Sequence, residues 1–292
     1  MSTDKNSEFM ERKQSVAGIF GRAASTYDHV GPRFFSHFGR RLVAVAQVSQ
    51  GSNVLDVASG RGAVLFPAAE SVGSSGRVTG IDLSEEMVRE IGREIVSSKL
   101  HNVEVQQMDA ENLQFSDASF DFLLCGFAIF FFPQLDRALA EICRVLKPNG
   151  RFATTTWDRA GAEQWKWFDD LIETYVPTEP LPDPADESQE PANPVFGTPE
   201  GLRDILASAG FSDVRITSET SDFVYADEAE WWSALWSHGA RADLEEIERV
   251  AGADGLARFR ADVFKKLAAL KEVDGIHVSR SVLYAQGIKA QT

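Results

Sequence analysis

The sequence predicts an α/β protein built on a largely parallel sheet, and three observations carry that prediction. Short apolar runs alternate with helix-length amphipathic stretches from Asn53 onward; the first three runs end in or beside an aspartate; and the turn after the first run holds Gly60 and Gly62.

Taken in order, SNVLDVA is an apolar run closing on an acid, GAVLFPAAESV is helix-like, and RVTGIDL is a second run ending in an acid. SEEMVREIGREIVSS opens on Ser84, a helix-capping residue type, and sets Met87, Ile91 and Ile95 four apart on one face. NVEVQQMD, FDFLLCG and GRFATTTW are three further strands. LDRALAEICRVL is the helix before the last of them, stopped by Pro148 and Gly150 of KPNG. Strands separated by helices imply right-handed crossovers, and in such sheets ligands sit beyond the carboxyl ends of the strands, where strand order reverses. Asp56, Asp82 and Asp109 then face one crevice, and Gly60 and Gly62 let the backbone pass close to a bound molecule. A glycine-rich turn by itself is as readily plain turn chemistry; three carboxylates in register weight the reading towards a site.

Bulk composition narrows the partners. Of 292 residues 43% are apolar, enough for a full core, and the net charge of -15 repels polyanions, so nucleic acid is not expected. Cys125 and Cys143 have neither disulfide-framework nor metal-ligand spacing and read as core residues in a reducing compartment; no metal site is expected. The charged start MSTDKNSEFMERKQ and the lack of a long uncharged apolar run predict a cytoplasmic protein without a membrane span. Residues 177–199 hold seven of the eleven prolines, several acids and no base, and are expected to form an exposed excursion.

The loop does not fit the dinucleotide pattern, because Ala58 occupies the first glycine place and no tightly spaced third glycine follows Gly62. No phosphate-cradling G-x-x-x-x-G-K-[ST] occurs. VLDVASGRG, GIDLS at 80–84, MDAENLQFSDASFDFLL at 108–124 and EICRVLKPNGRF at 141–152 instead resemble, in order and spacing, the motifs of class I S-adenosylmethionine-dependent methyltransferases, closest to the UbiE-like small-molecule enzymes. The likeness covers roughly residues 15 to 157.

The resemblance implies a seven-stranded Rossmann-like sheet with helices on both faces and an antiparallel last strand. It implies a helical N-terminal lid over 1–50, a cofactor-binding core over 51–157, an inserted substrate cap with the sixth strand over 158–275, and a last strand over 276–292. Ala58, Ser59, Gly60 and Gly62 would form the loop along the methionine part of S-adenosylmethionine, with Asp56 holding that loop or reaching the amino group through water. Asp82 would accept both ribose hydroxyls, and Asp109 with the Ala110 amide would bind the adenine. Leu83, Met87 and Leu113 would flank that ring, Cys125 and Gly126 would lie under the methionine tail, and Tyr27 of IFGRAASTYDHVGPRFF would touch the methionine end from the lid.

GFAIFFFP places Phe127, Phe130, Phe131 and Phe132 just beyond the fourth strand; enzymes of the family it resembles often carry histidines at the positions of Phe130 and Phe131, and this departure suggests an apolar acceptor. Trp157 ends the fifth strand at the same crevice. EWWSALWSHG sets Trp231, Leu235 and His238 at helical spacing, with Trp232 and Trp236 on a neighbouring face, so one face of that helix is a candidate pocket roof. Any one of these aromatics is more readily core, but as a cluster Phe127, Phe130, Phe131, Trp157, Trp232 and Trp236 are expected to enclose a substrate chamber. His238 and His29 are the candidates for an acid–base group, since histidine is poised near neutral pH; a structural role for either stays open. The expected activity is methyl transfer to a small, lipophilic acceptor, with a homodimer as the assembly to look for. A cofactor-binding protein that runs a cyclisation or rearrangement, a non-catalytic binding protein and, more weakly, an NAD-dependent oxidoreductase are the rivals.

Overall fold

The computed structural model describes residues 2–176 and 194–291; most of the proline-rich segment expected over 177–199 lies outside the described residues. Two helices, α1 (Ser2–Ala23) and α2 (Phe34–Ala46), precede the sheet. Then β1 (Asn53–Val57), α3 (Leu65–Val72), β2 (Arg77–Asp82), α4 (Glu85–Ser97), β3 (Val103–Gln107), β4 (Phe120–Gly126), α5 (Leu135–Val145) and β5 (Leu146–Trp157) follow. The remainder is α6 (Lys166–Tyr175), α7 (Pro199–Ser208), β6 (Phe211–Tyr225), α8 (Glu228–Trp236), α9 (Arg241–Leu270) and β7 (Ile276–Lys289).

The seven strands form one sheet in the order β3-β2-β1-β4-β5-β7-β6, parallel except that β7 runs antiparallel to both β5 and β6. Strand order reverses between β1 and β4, so the crevice falls at their carboxyl ends. Local chemistry accounts for the helix starts. Ser84 accepts the Met87 N–H, Thr198 accepts the Gly201 N–H ahead of Pro199, and Asp227 accepts from Ala229 and Glu230. Met87, Ile91 and Ile95 are buried on the expected face of α4. α5 ends earlier than KPNG suggests, at Val145, and the chain enters β5 with Asn149 in the left-handed region.

Three apolar clusters hold these layers. One lies between the sheet and α2, α3 and α4, a second on the opposite face under α5 and α7, and a third joins α6, α8 and α9 to the ends of β6 and β7. α2 sits tightly on the loop after β1: a Cβ at Gly39 would meet the Ala63 carbonyl at 2.2 Å. α9 kinks at Gly252, with φ +70°. Among the described residues no helix is long and apolar enough to cross a membrane.

Candidate active site

The chain leaves β1 through Ala58 and Gly60, both in the left-handed region (φ +56° and +51°), and this turn exposes backbone to the crevice. For Ala58 the conformation carries about 1 kcal/mol of strain or more, the kind of cost that persists at functional loops. A Cβ on Gly60 would point towards the Tyr27 ring, 4.0 Å away, across the space the loop encloses. Gly62 acts differently from expectation. It does not line the crevice, and its added Cβ would meet Phe66 at 2.5 Å, so it packs the loop onto α3 and α4.

A slot of about 110 Å³ opens here, walled by Ala58, Gly60, Asp82, Leu83, Met87, Asp109, Ala110, Gly126, Phe127 and, from the N-terminal segment, Tyr27. Ten residues distant in sequence are thereby brought together. Asp82 accepts the Gly60 N–H at 2.8 Å and the Ser84 N–H at 2.9 Å, and has no cationic partner among the described residues. Burial raises its pKa, opposed by the Ser84, Gly60 and Leu83 amides. Asp56 lies behind the loop, 1% exposed, with neither carboxylate oxygen in hydrogen-bond geometry to a described group. Burial and then the Asp82 charge push its pKa well up, the Leu65 amide being too poorly placed to offset them.

Ser59, Cys125 and Leu113 are buried beside the slot rather than on its wall. Burial lifts the Cys125 thiol to about 12, which makes it an inert core residue. Two wall residues had no sequence signal. Lys13 of α1 donates to Asp109 at 2.8 Å and pairs with the buried Glu111, an ion pair that spans 96 residues and obeys no local periodicity. Asp109 therefore meets Lys13 and the Glu111 N–H, and an adenine amine would share it with the lysine.

A second, broader cavity of about 1460 Å³ adjoins the slot, with Phe131, Phe132 and Pro133 common to both walls. Phe130, Trp157, Trp165, Phe196 and Arg280 line it, while Phe127 faces the slot and lies 4.5 Å, ring to ring, from Trp157. Phe127 holds φ +56°, a costly conformation for a bulky residue at the tip of β4.

The expected roof is elsewhere. Trp232 and Trp236 line neither cavity: Trp232 packs on Phe259 and Phe264 of α9, and Trp236 lies under the Arg241 guanidinium. α8 turns these rings into the third core cluster because α9 covers that face. His29 is exposed and lines neither cavity. His238 is half-buried, its ring edge-on to Phe34 and Phe35, and it also lines neither. Its Nδ1 accepts the Ala240 N–H at 3.3 Å, which leaves the proton on Nε2, buried and unpartnered. Desolvation, then the Arg280 charge, lowers its pKa to about 3. A histidine whose one free nitrogen is buried and already carries hydrogen does not accept a proton there, so the general-base role expected of His238 is not supported by this geometry.

The slot suits S-adenosylmethionine on the chemistry of its walls. Asp82 offers spare lone pairs for a diol, Met87 and Leu83 offer an apolar clamp for a ring, and the orphaned Asp56 carboxylate lies behind the loop where a positive methionine end would offset its charge. A family model described as a methyltransferase domain matches residues 48–185, and with a full-length relative above 30% identity the chain belongs to the class I S-adenosylmethionine-dependent methyltransferases. That relative is the nocamycin O-methyltransferase of Saccharothrix syringae, 33% identical over 92% of this chain and 96% of its own. Aklanonic acid methyltransferase DauC of a Streptomyces species is 42% identical over 49% of this chain and 66% of its own. A demethylmenaquinone methyltransferase of Listeria monocytogenes is 32% identical over 56% and 71%. Among solved structures the fold matches the YcgJ protein of Bacillus subtilis (TM-score 0.54, 19% identity, 88% of this chain and 100% of that one). It also matches the [4+2]-cyclase SpnF (TM-score 0.52, 20% identity, 88% and 81%).

Proposed function

We propose that this methyltransferase acts on a small lipophilic molecule held in the broad aromatic cavity. The observation that carries the reading is the junction of the two cavities at Phe131, Phe132 and Pro133, where an aromatic-walled chamber adjoins the slot. Relatives named for aklanonic acid, nocamycin and demethylmenaquinone agree with a small-molecule acceptor, and the nocamycin enzyme with transfer to oxygen.

In this reading Asp82 binds the ribose hydroxyls, Leu83 and Met87 clamp the adenine, Asp109 and Ala110 bond its edge, and Asp56 balances the amino group from behind the loop. Bound there, S-adenosylmethionine supplies an electrophilic methyl group for in-line displacement. Tyr27, Phe127 and Phe131 exclude water between slot and chamber, and the chamber walls hold the acceptor in line. Such positioning is worth roughly 7–11 kcal/mol when reacting atoms are held at about 3–3.5 Å. No histidine lines either cavity, so the acceptor enters already nucleophilic or loses its proton to solvent. The helices before β1 serve as the lid, and α6, α8 and α9 as a cap whose own core is separate from the chamber.

Incubation with methyl-labelled cofactor and a panel of lipophilic phenols, quinones and aromatic acids, followed by mass spectrometry, tests this. Labelled product and S-adenosylhomocysteine are expected in equal amounts. Turnover of a lipophilic substrate with no S-adenosylhomocysteine formed would replace methyl transfer by a cyclisation or rearrangement.

A further inference from the structure

Arg280 occupies an unusual position for an arginine. It stands on β7 two residues before Val282, which pairs with Trp157 of β5, so its side chain is the diagonal neighbour of Trp157 on the same face of the sheet. The guanidinium lies over three rings: Trp165 at 4.3 Å, Phe34 at 4.4 Å and Trp157 at 5.5 Å. The side chain is half-buried and forms no ion pair with a described residue, and its Nε–H is buried without an acceptor. Its polar neighbours are the Tyr225 hydroxyl and the neutral His238, neither of which is an anion. A guanidinium held largely away from water is ordinarily matched by a carboxylate, because an uncompensated charge there is costly. Stacking on aromatic faces offsets only part of that cost.

Arg280 also lines the broad cavity, and it is not alone there. Arg12, Arg137 and Arg159 line the same cavity, none of them ion-paired with a described residue, against Asp136 and Asp158. In a chain of net charge -15 this is a local excess of positive charge around an aromatic chamber.

We propose that Arg280 is the anion anchor of the acceptor cavity and that the acceptor is a planar aromatic molecule bearing an oxyanion, a carboxylate or an acidic enolate, which the guanidinium pairs. The proposal rests on the reading of this cavity as the acceptor site. Arginine suits the task because its planar fork meets a carboxylate with two donors while its faces stay packed between rings. Arg280 is thus a specificity-determining residue: it selects an anionic head, and the rings select a flat apolar body. An oxyanion also needs no base, which fits a chamber without a histidine.

The test uses three probes near neutral pH, titrated calorimetrically into the S-adenosylhomocysteine-loaded full chain: 2-naphthoate, its neutral amide 2-naphthamide, and 2-acetylindane-1,3-dione, an acidic enol without a carboxyl. The wild type is expected to bind 2-naphthoate about tenfold or more tighter than 2-naphthamide. That preference is expected to vanish in Arg280→Met and to be reduced in Arg280→Lys, which keeps charge but loses the fork. If the enolate also outbinds the amide, the anchor takes any planar oxyanion; if only the naphthoate does, it takes carboxylates. An arginine that merely separates Trp165 from Phe34 would leave acid and amide equal in the wild type, and that equality overturns the proposal even where Arg280→Met fails to fold. Retention of the full preference in Arg280→Met or Arg280→Lys overturns it too. Failure of the methyl-transfer reading shows separately, as absence of S-adenosylhomocysteine binding by the wild type.

Discussion

Two carboxylates and a histidine show how burial assigns roles at the level of single residues. Three amides oppose the upward push of burial on the Asp82 pKa, and the carboxylate faces the slot; Asn in its place offers one acceptor where a diol asks for two. Asp82→Asn is expected to weaken S-adenosylhomocysteine binding about 10- to 100-fold by calorimetry, one charge-assisted bond being worth about 1.5–3 kcal/mol. Unchanged affinity would remove Asp82 from the ribose site. His238 makes a prediction about pH. Its pKa falls from the ordinary 6.5 to about 3 on folding, so between those values the unfolded chain binds the extra proton. Stability carried by the neutral buried ring is therefore complete above pH 6.5 and is lost as pH falls towards 3, by about 1.4 kcal/mol per pH unit. Asp56 works in the opposite sense, its raised pKa making ionisation above the ordinary carboxylate range unfavourable, so the difference between wild type and His238→Gln isolates the histidine. Denaturant midpoints of His238→Gln should fall less steeply with acid than those of the wild type; parallel curves would show that the ring is solvated. Asp82 at a strand end and Met87 on a helix face were legible because strand-end position and helix spacing are local properties. The burial of His238 was not, since it depends on α2 and β7 closing over a residue some 40 to 200 positions away.

At the scale of elements, the alternation of strand and helix between Asn53 and Trp157 was readable because each crossover encodes its own period. The segment between β5 and β7 was readable only as helices, not as faces. α8 carries aromatic residues on several sides, and spacing alone does not say which side α9 covers. With Trp232 8% exposed and set against Phe259 and Phe264, Trp232→Ala is expected to cost about 3–5 kcal/mol, the range for truncating a buried aromatic. Thermal melts should drop while the folded fraction keeps its S-adenosylhomocysteine affinity and its Michaelis constant for acceptor. A raised Michaelis constant with an unchanged melting temperature would return Trp232 to the substrate chamber. Trp157 behaves oppositely because a strand end has one inward face, and that face is set by pairing with Val282.

Across the whole molecule, the N-terminal helix is tied to the cofactor slot at two points that no local pattern announces. Arg61, between the two loop glycines, donates to the Ala24 carbonyl just past α1 at 2.5 Å and pairs with Glu94. Lys13 reaches from α1 to Asp109 and the buried Glu111, its charge favoured by the two carboxylates against the cost of burial. α1 is therefore latched on the same acid that would recognise the adenine, and its opening takes away the cation paired with Glu111, which is 1% exposed. Lys13→Met should unlatch α1. Because the Gln134 N–H and side-chain amide still satisfy Glu111, the loss is expected nearer 1–3 kcal/mol than the 3–5 kcal/mol of a wholly abandoned buried charge. Hydrogen exchange should accelerate across α1 and not across β1–β4, and S-adenosylhomocysteine should dissociate faster. The double variant Lys13→Met with Glu111→Gln decides whether the latch is electrostatic: removing both charges should recover most of the lost stability, as coupled neighbours do in a double-mutant cycle. Strict additivity of the two losses would mean that α1 is held by Val16, Ala17 and Phe20 packing on the slot, with the ion pair as a bystander.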